Sequence, residues 1–334
     1  MLYNELSFRL DVFNYLIRSE YTEVKSLARY QTTAESLKGF IMQKSHPVFS
    51  PLIQGYWRMA EWGMTTQQQH TFLKQHVEMG ITTVDHAPVY GPDSACERMF
   101  GEVLALDSSM RDQIEIVSKC GIYRGEGKTV NHYNSSKAAI IASVDESLSR
   151  INTDHLDVLL LHRPDLLMDA DDAAEAFAEL SAAGKVKHFG VSNFTPTQFE
   201  LLQSRLDQPL VTNQVEINPV NLQVTEDGTL DQLQRMRVSP MAWSCLAGGR
   251  IFTENSEQMT RLRETLAQVM EEIGASSIDQ VIFAWVMRLP AKPVPIIGSG
   301  NIERVRAAAG ALDLSLTHEQ WYRIWVASKG HGVA

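Results

Sequence analysis

The chain has 334 residues, 44% of them hydrophobic, enough to bury the core of one large barrel or of two ordinary domains. With 40 Asp and Glu against 30 Lys and Arg, its formal net charge is −10. That balance argues against non-specific binding to nucleic acid or to an anionic membrane surface, and leaves room for a small anionic cofactor in a local basic pocket. The cysteines, Cys96, Cys120 and Cys245, lie far apart with no C-x-x-C or His/Cys ligand spacing, so they read as reduced thiols and no metal site is expected. No apolar run approaches the ~20 residues that span a bilayer, and residues 1–13 lack the continuous apolar core of a secretory signal. A cytoplasmic location is the expectation.

Residues 1–45 carry helix-compatible pieces at 10–16 and 34–40, but no turn or strand pattern ties them to the rest of the chain. They read as an N-terminal extension, either a packed accessory helix or an upstream extension of the reading frame, with Met42 opening the segment that runs into the first strand. From there short β-rich runs recur at 52–54, 82–85, 115–118, 157–161, 188–191, 212–216, 240–243 and 293–297. Amphipathic helical stretches separate them at 67–79, 137–150, 173–183, 197–206, 230–237 and 258–273. Gly80 and Gly184 stand where helices should stop, and Thr195-Pro196 supplies a cap and a first-turn proline. The acidic run Asp169, Asp171 and Asp172 lacks the glycine and terminal glutamate of a calcium loop and reads as a helix cap. Strand followed by helix, repeated about eight times, implies parallel strands with right-handed crossovers, and at this length a single (β/α)₈ TIM barrel over 46–334.

In such a barrel, residues just after each strand share one face. Asp85, Tyr90, Lys119 and His162 all fall there, in the stretches Thr83-Val84-Asp85-His86-Ala87-Pro88-Val89-Tyr90-Gly91, Val117-Ser118-Lys119 and Leu160-Leu161-His162-Arg163-Pro164. A tyrosine beside a lysine that is itself held by a carboxylate suggests proton donation to a carbonyl. The ammonium should favour tyrosinate and draw the phenol down from its ordinary ~10.

With these motifs in this order, joined by Gly55-Tyr56-Trp57, Leu161-His162-Arg163-Pro164-Asp165, Gly190-Val191-Ser192-Asn193-Phe194, Asn213-Gln214-Val215-Glu216, Trp243-Ser244 and Ile297-Gly298-Ser299-Gly300, the chain from Gly55 onward resembles the aldo-keto reductases, and among them the bacterial YdhF-like branch. The resemblance implies a barrel that binds NADPH without a Rossmann domain and reduces aldehydes or ketones. By that similarity Tyr90 is the acid, Lys119 lowers its pKa, Asp85 pairs with Lys119, and His162 orients the carbonyl. It assigns Ser192, Asn193 and Gln214 to the nicotinamide carboxamide and Trp243 to the nicotinamide face. Ser244, Leu246, Gly248 and Arg250 go to the pyrophosphate, and Ser299 and Arg304, within the Gly298 to Gly300 turn and just past it, to the 2′-phosphate. Gly55 and Tyr56 join the cofactor set, and Trp57 walls the substrate cleft. Two departures stand out. No lysine flanks Ser299, which weakens strict NADPH preference, and His86 replaces the small hydroxyl residue that commonly follows the aspartate.

Two other readings stay open. A Schiff-base aldolase or lyase would use Lys119 as a neutral nucleophile, a state that Asp85 opposes. A non-catalytic nucleotide-binding regulatory barrel would keep the pocket and use redox state as a signal, as related channel-associated subunits do. The expected partner is a small-molecule carbonyl substrate, with no nucleic acid and no membrane, and the oligomeric state is not legible.

Overall fold

Eight parallel strands close into a barrel: β1 (Ile53–Gly55), β2 (Thr83–Asp85), β3 (Glu115–Cys120), β4 (Leu156–Leu161), β5 (Val186–Ser192), β6 (Asn213–Glu216), β7 (Met241–Trp243) and β8 (Val294–Ile297). Each strand pairs with its sequence neighbour, and β1 pairs with β8 to shut the ring. This computed structural model describes residues 48–334; the expected extension at 1–45 and the start at Met42 lie outside them. All eight predicted strands are present, and their ends move by no more than about two residues.

The helices longer than a single turn are α1 (Thr66–Glu78), α2 (Ala95–Leu106), α3 (Lys137–Ile151), α4 (Ala170–Ala182), α5 (Pro196–Gln203), α6 (Thr229–Met236), α7 (Glu257–Ile273), α8 (Ile278–Met287), α9 (Ile302–Ala309) and α10 (His318–Lys329). Local chemistry sets their ends. Thr65 and Gln68 form a capping box on α1, and Thr195 and Gln198 form another on α5, where Pro196 takes the first turn. Gly80 and Gly184 adopt φ of +77° and +69° past the ends of α1 and α4. Asp169 caps α4 by accepting from the Asp171 amide at 2.9 Å, as the acidic run predicted.

Four helices escaped the sequence pattern. The chain enters α2 through Asp93 and Ser94, both left-handed, so no ordinary cap announces it. Gly101 inside α2 lets that helix meet the end of α3: a Cβ there would lie 2.1 Å from the Arg150 carbonyl oxygen. Residues Gln280 to Val286 of α8 are all buried, which erases the one-sided periodicity that marks a surface helix. With α9 and α10, α8 completes the outer layer near β8; α10 is fixed by a reciprocal pair in which the Trp285 and Trp321 indoles each donate to the other's carbonyl at 3.1 Å.

Below the rim, an aromatic box holds His86. Its ring stacks on Tyr56 with centroids 4.8 Å apart and lies 4.4 Å from Phe100, and neither ring nitrogen has a partner among the described residues. Tyr56 in turn shares its hydroxyl with His76 at 2.9 Å. Burial, with repulsion from Lys119, lowers His86 to about 3, and burial lowers His76 to about 4 against the pull of the Ile81 carbonyl. In the unfolded chain both rings take up a proton near pH ~6.5. The stability they allow is therefore complete above that pH and is lost as the pH falls toward the folded values, by about 2 kcal/mol per histidine at pH ~5. Urea unfolding should give a clearly lower midpoint at pH 5 than at pH 7.5, and His86→Phe, which removes two unpartnered nitrogens, should flatten that dependence. A midpoint that does not move with pH would contradict this picture.

Candidate active site

Lys119 projects from β3 with none of its side chain exposed. Its ammonium makes three contacts, to Asp85 Oδ1 at 2.7 Å, the His86 carbonyl oxygen at 2.9 Å and the Tyr90 hydroxyl at 2.8 Å. A neutral amine has only two hydrogens to give, so three acceptors match the charged form. Burial pulls the Lys119 pKa below 10.5, and the Asp85 carboxylate, with Glu97 behind it, opposes the shift. Asp85 is held from two further sides: Gln214 Nε2 donates to Oδ1 at 2.7 Å, and the Tyr90 hydroxyl lies 3.4 Å from Oδ2.

Tyr90 departs from expectation in its acidity. Burial, then the Asp85 charge and hydrogen bond, push the phenol well above 10, against a smaller lowering by Arg163. The lysine contact is present, but desolvation of the phenolate wins, so the hydroxyl stays protonated across the ordinary pH range. His162, just past the end of β4, meets the Tyr90 ring edge-on with centroids 5.9 Å apart. Burial, with the charges of Lys119 and Arg163, drives the His162 pKa well below 6.5, so the imidazole is neutral.

These groups floor a cleft of about 1410 Å³ across the strand ends. Gly55, Trp57, Asp85, Tyr90 and His162 line it. Ser192, Asn193, Gln214 and Trp243 line it too, as do Ser244, Leu246, Gly248, Arg250, Gly298, Ser299, Gly300 and Arg304. The set from Ser192 to Trp243 is locked internally. Ser192 Oγ donates to the Gln214 carbonyl at 2.9 Å, Asn193 Nδ2 donates to Ser192 Oγ at 2.7 Å, and the Trp243 indole donates to Asn193 Oδ1 at 3.1 Å. Gln214 Oε1 accepts from no described residue and remains an acceptor on the wall. Beyond it, positive φ at Ser244, Ala247, Gly248 and Gly249 coils the chain after β7 into a tight loop leading to Arg250.

Tyr56 does not belong with these residues. Its side chain is 1% exposed and points into the His76 and His86 box, so it is a core residue and only Gly55 and Trp57 of that motif reach the cleft. Lys119 is also absent from the wall, screened from the cleft by the groups it binds. The cleft includes residues with no assigned sequence role: Arg58, Trp62, Arg124, Arg163, Glu216 and Asp279. Arg163 and Glu216 sit inside motifs already quoted, one place from His162 and two from Gln214; their position after β4 and at the end of β6 was the available signal.

A closed barrel with this polar cluster at its strand ends defines a carbonyl oxidoreductase, and the chain belongs to the aldo/keto reductase family, whose model matches residues 51–328. It is an NAD(P)H-dependent oxidoreductase. It is 55% identical to oxidoreductase YdhF of Escherichia coli over 289 residues, covering 86% of this chain and 96% of that protein. It is 40% identical to a 6-dehydroglucose reductase of Agrobacterium fabrum over 85% of this chain and 96% of the relative. Among solved structures, the thermostable aldo-keto reductase Tm1743, in complex with the inhibitor epalrestat, superposes with a TM-score of 0.70 at 26% identity, over 83% of this chain and 94% of that one.

Removing one partner of the buried Lys119 and Asp85 pair should leave an uncompensated charge. Asp85→Asn is expected to cost about 3–5 kcal/mol in urea unfolding, and adding Lys119→Met should recover part of that loss. A double variant less stable than the single one would show that the pair is not the source of the cost.

Proposed function

We propose that this protein is an NADPH-dependent reductase of aldehydes or ketones in which Tyr90 delivers the proton to the carbonyl oxygen. The observation that carries the reading is the Lys119 ammonium bound to Asp85, the His86 carbonyl and Tyr90 directly behind the cleft. When bound, NADPH supplies the hydride. The donor set fits such a molecule: the partnerless Gln214 Oε1 suits a carboxamide N–H, and the Trp243 ring, pinned through its indole N–H, offers a flat wall to a nicotinamide. The loop from Ser244 to Arg250 suits a pyrophosphate. Ser299 and Arg304 suit a 2′-phosphate, and Arg304 has no carboxylate within ion-pair distance among the described residues.

The high pKa of Tyr90 is compatible with this role. A donor must carry its proton when the substrate arrives, and the oxygen left by hydride addition is far more basic than a phenolate, so the proton moves downhill. As it leaves, the Lys119 ammonium at 2.8 Å stabilises the phenolate that remains. Neutral His162, with no hydrogen-bond partner for its ring among the described residues, can donate to the same carbonyl and fix its angle. The aldolase reading loses support, since a Lys119 nucleophile must be neutral and must reach the cleft, and here it faces three acceptors and no cleft surface. The three cysteines are buried and unpaired, in keeping with the reducing cytoplasm in which we place the reaction.

Tyr90→Phe should leave NADPH quenching of tryptophan fluorescence nearly unchanged while turnover of an aldehyde falls by ~10²-fold or more; 6-dehydroglucose is an apt first substrate, given the activity named for the Agrobacterium relative. Undiminished turnover would remove Tyr90 from the chemistry. Arg304→Ala should weaken NADPH binding by about 10-fold or more and NADH binding little. Equal weakening of both would place the 2′-phosphate elsewhere.

A further inference from the structure

Arg163 stands out among the charged groups of the cleft. Its guanidinium makes no hydrogen bond and no ion pair with any described residue, although it belongs to the cleft wall. It lies 5.8 Å from the centroid of the Trp243 ring, and its charge is felt by both Tyr90 and His162, which puts it beside the proposed reacting groups. On the same wall, Arg124 donates to the Gly91 and Val89 carbonyl oxygens and likewise makes no ion pair with any described residue. The carboxylate at the end of β6, Glu216, lines the same cleft but forms no ion pair with either. Its two oxygens accept from Asn218 and Asn221 amides, both at 2.9 Å. A chain with a net charge of −10 thus sets two arginines without ion pairs among the described residues beside its proton donor, in a cleft that Glu61, Asp85, Glu216 and Asp279 also line.

An arginine offers five N–H donors in a planar fork matched to carboxylate and phosphate oxygens. We infer that the carbonyl substrates this cleft favours carry an anionic group, a carboxylate or a phosphate, a few carbons from the carbonyl, and that Arg163 is the residue that selects it, with Arg124 adding field strength. The inference rests on the reductase reading and narrows its substrate class. A neutral carbonyl compound leaves the Arg163 fork without an anion; one bearing a carboxylate or phosphate fills it and is held with its carbonyl facing Tyr90 and His162.

The test compares matched pairs under identical NADPH: succinic semialdehyde against butanal for a carboxylate, and glyceraldehyde 3-phosphate against glyceraldehyde for a phosphate. The expected result is a kcat/KM about 10-fold to 100-fold higher for the charged member of at least one pair. In Arg163→Gln the ratio within that pair should fall toward one, and in Arg163→Lys it should stay between the two. Which pair discriminates identifies the anion. Equal kcat/KM within both pairs in the native protein, or discrimination that survives Arg163→Gln, overturns the inference while leaving the reductase reading in place. Reduction of no carbonyl compound at all, neutral ones and 6-dehydroglucose included, overturns both.

Discussion

A lysine ammonium with no exposed surface has to be matched hydrogen for hydrogen, and that requirement organises the upper rim of this barrel. Taking such a charge out of water costs several kcal/mol even after relaxation, so Lys119 stays charged only if its three donors are met. The acceptors come from the end of β2 and the loop after it: Asp85, the His86 carbonyl and the Tyr90 hydroxyl. The position of that loop relative to β3 is thereby fixed. Gln214, reaching across from β6, holds the Asp85 oxygen that faces the lysine and ties the far side of the barrel to the same point. Behind them fully buried Glu97 accepts from Ser118 Oγ and Arg150 Nε, each at 2.7 Å, and places a second carboxylate near Lys119.

The same burial that makes the ammonium costly decides the protonation of its neighbours. Tyr90 keeps its proton and His162 stays neutral because a second unmatched charge in this setting is opposed by desolvation in both cases. Around Lys119 the rim thus holds one internal ion pair, with Asp85, and two neutral hydrogen-bonding groups, Tyr90 and His162, that line the cleft. Proton donation suits such a division, since the charge that develops on Tyr90 during the reaction is met by a cation already in place.

Much of this was legible in the sequence. The β-rich runs were separated by amphipathic stretches with capping residues, and their spacing put Asp85, Lys119 and His162 at or just past strand ends, where they are found, while Ser192, Gln214 and Trp243 were singled out by the family resemblance. What stayed hidden depends on depth and packing direction. Tyr56 follows a cleft-lining glycine in sequence but turns inward onto His86, and no local pattern signals that turn. The rise of the Tyr90 pKa depends on how much water the barrel excludes, which one residue's neighbours in sequence do not report. Helix α8 lost its periodic signal because it is covered on all sides. Arg163 was visible in its motif, yet its lack of an ion-pair partner among the described residues is a property of the assembled cleft.

The charge on Lys119 is the point on which the rest turns, and it can be read directly. Nitrogen-15 NMR of the side-chain amine of Lys119, assigned by comparison with a Lys119→Arg variant, reports whether that nitrogen is an ammonium or an amine at neutral pH. The expected signal is that of an ammonium whose hydrogens exchange slowly with water, held by Asp85, the His86 carbonyl and Tyr90. A neutral amine, or an adduct at Lys119 after exposure to an aldehyde and borohydride, would contradict it and return the Schiff-base reading to the front.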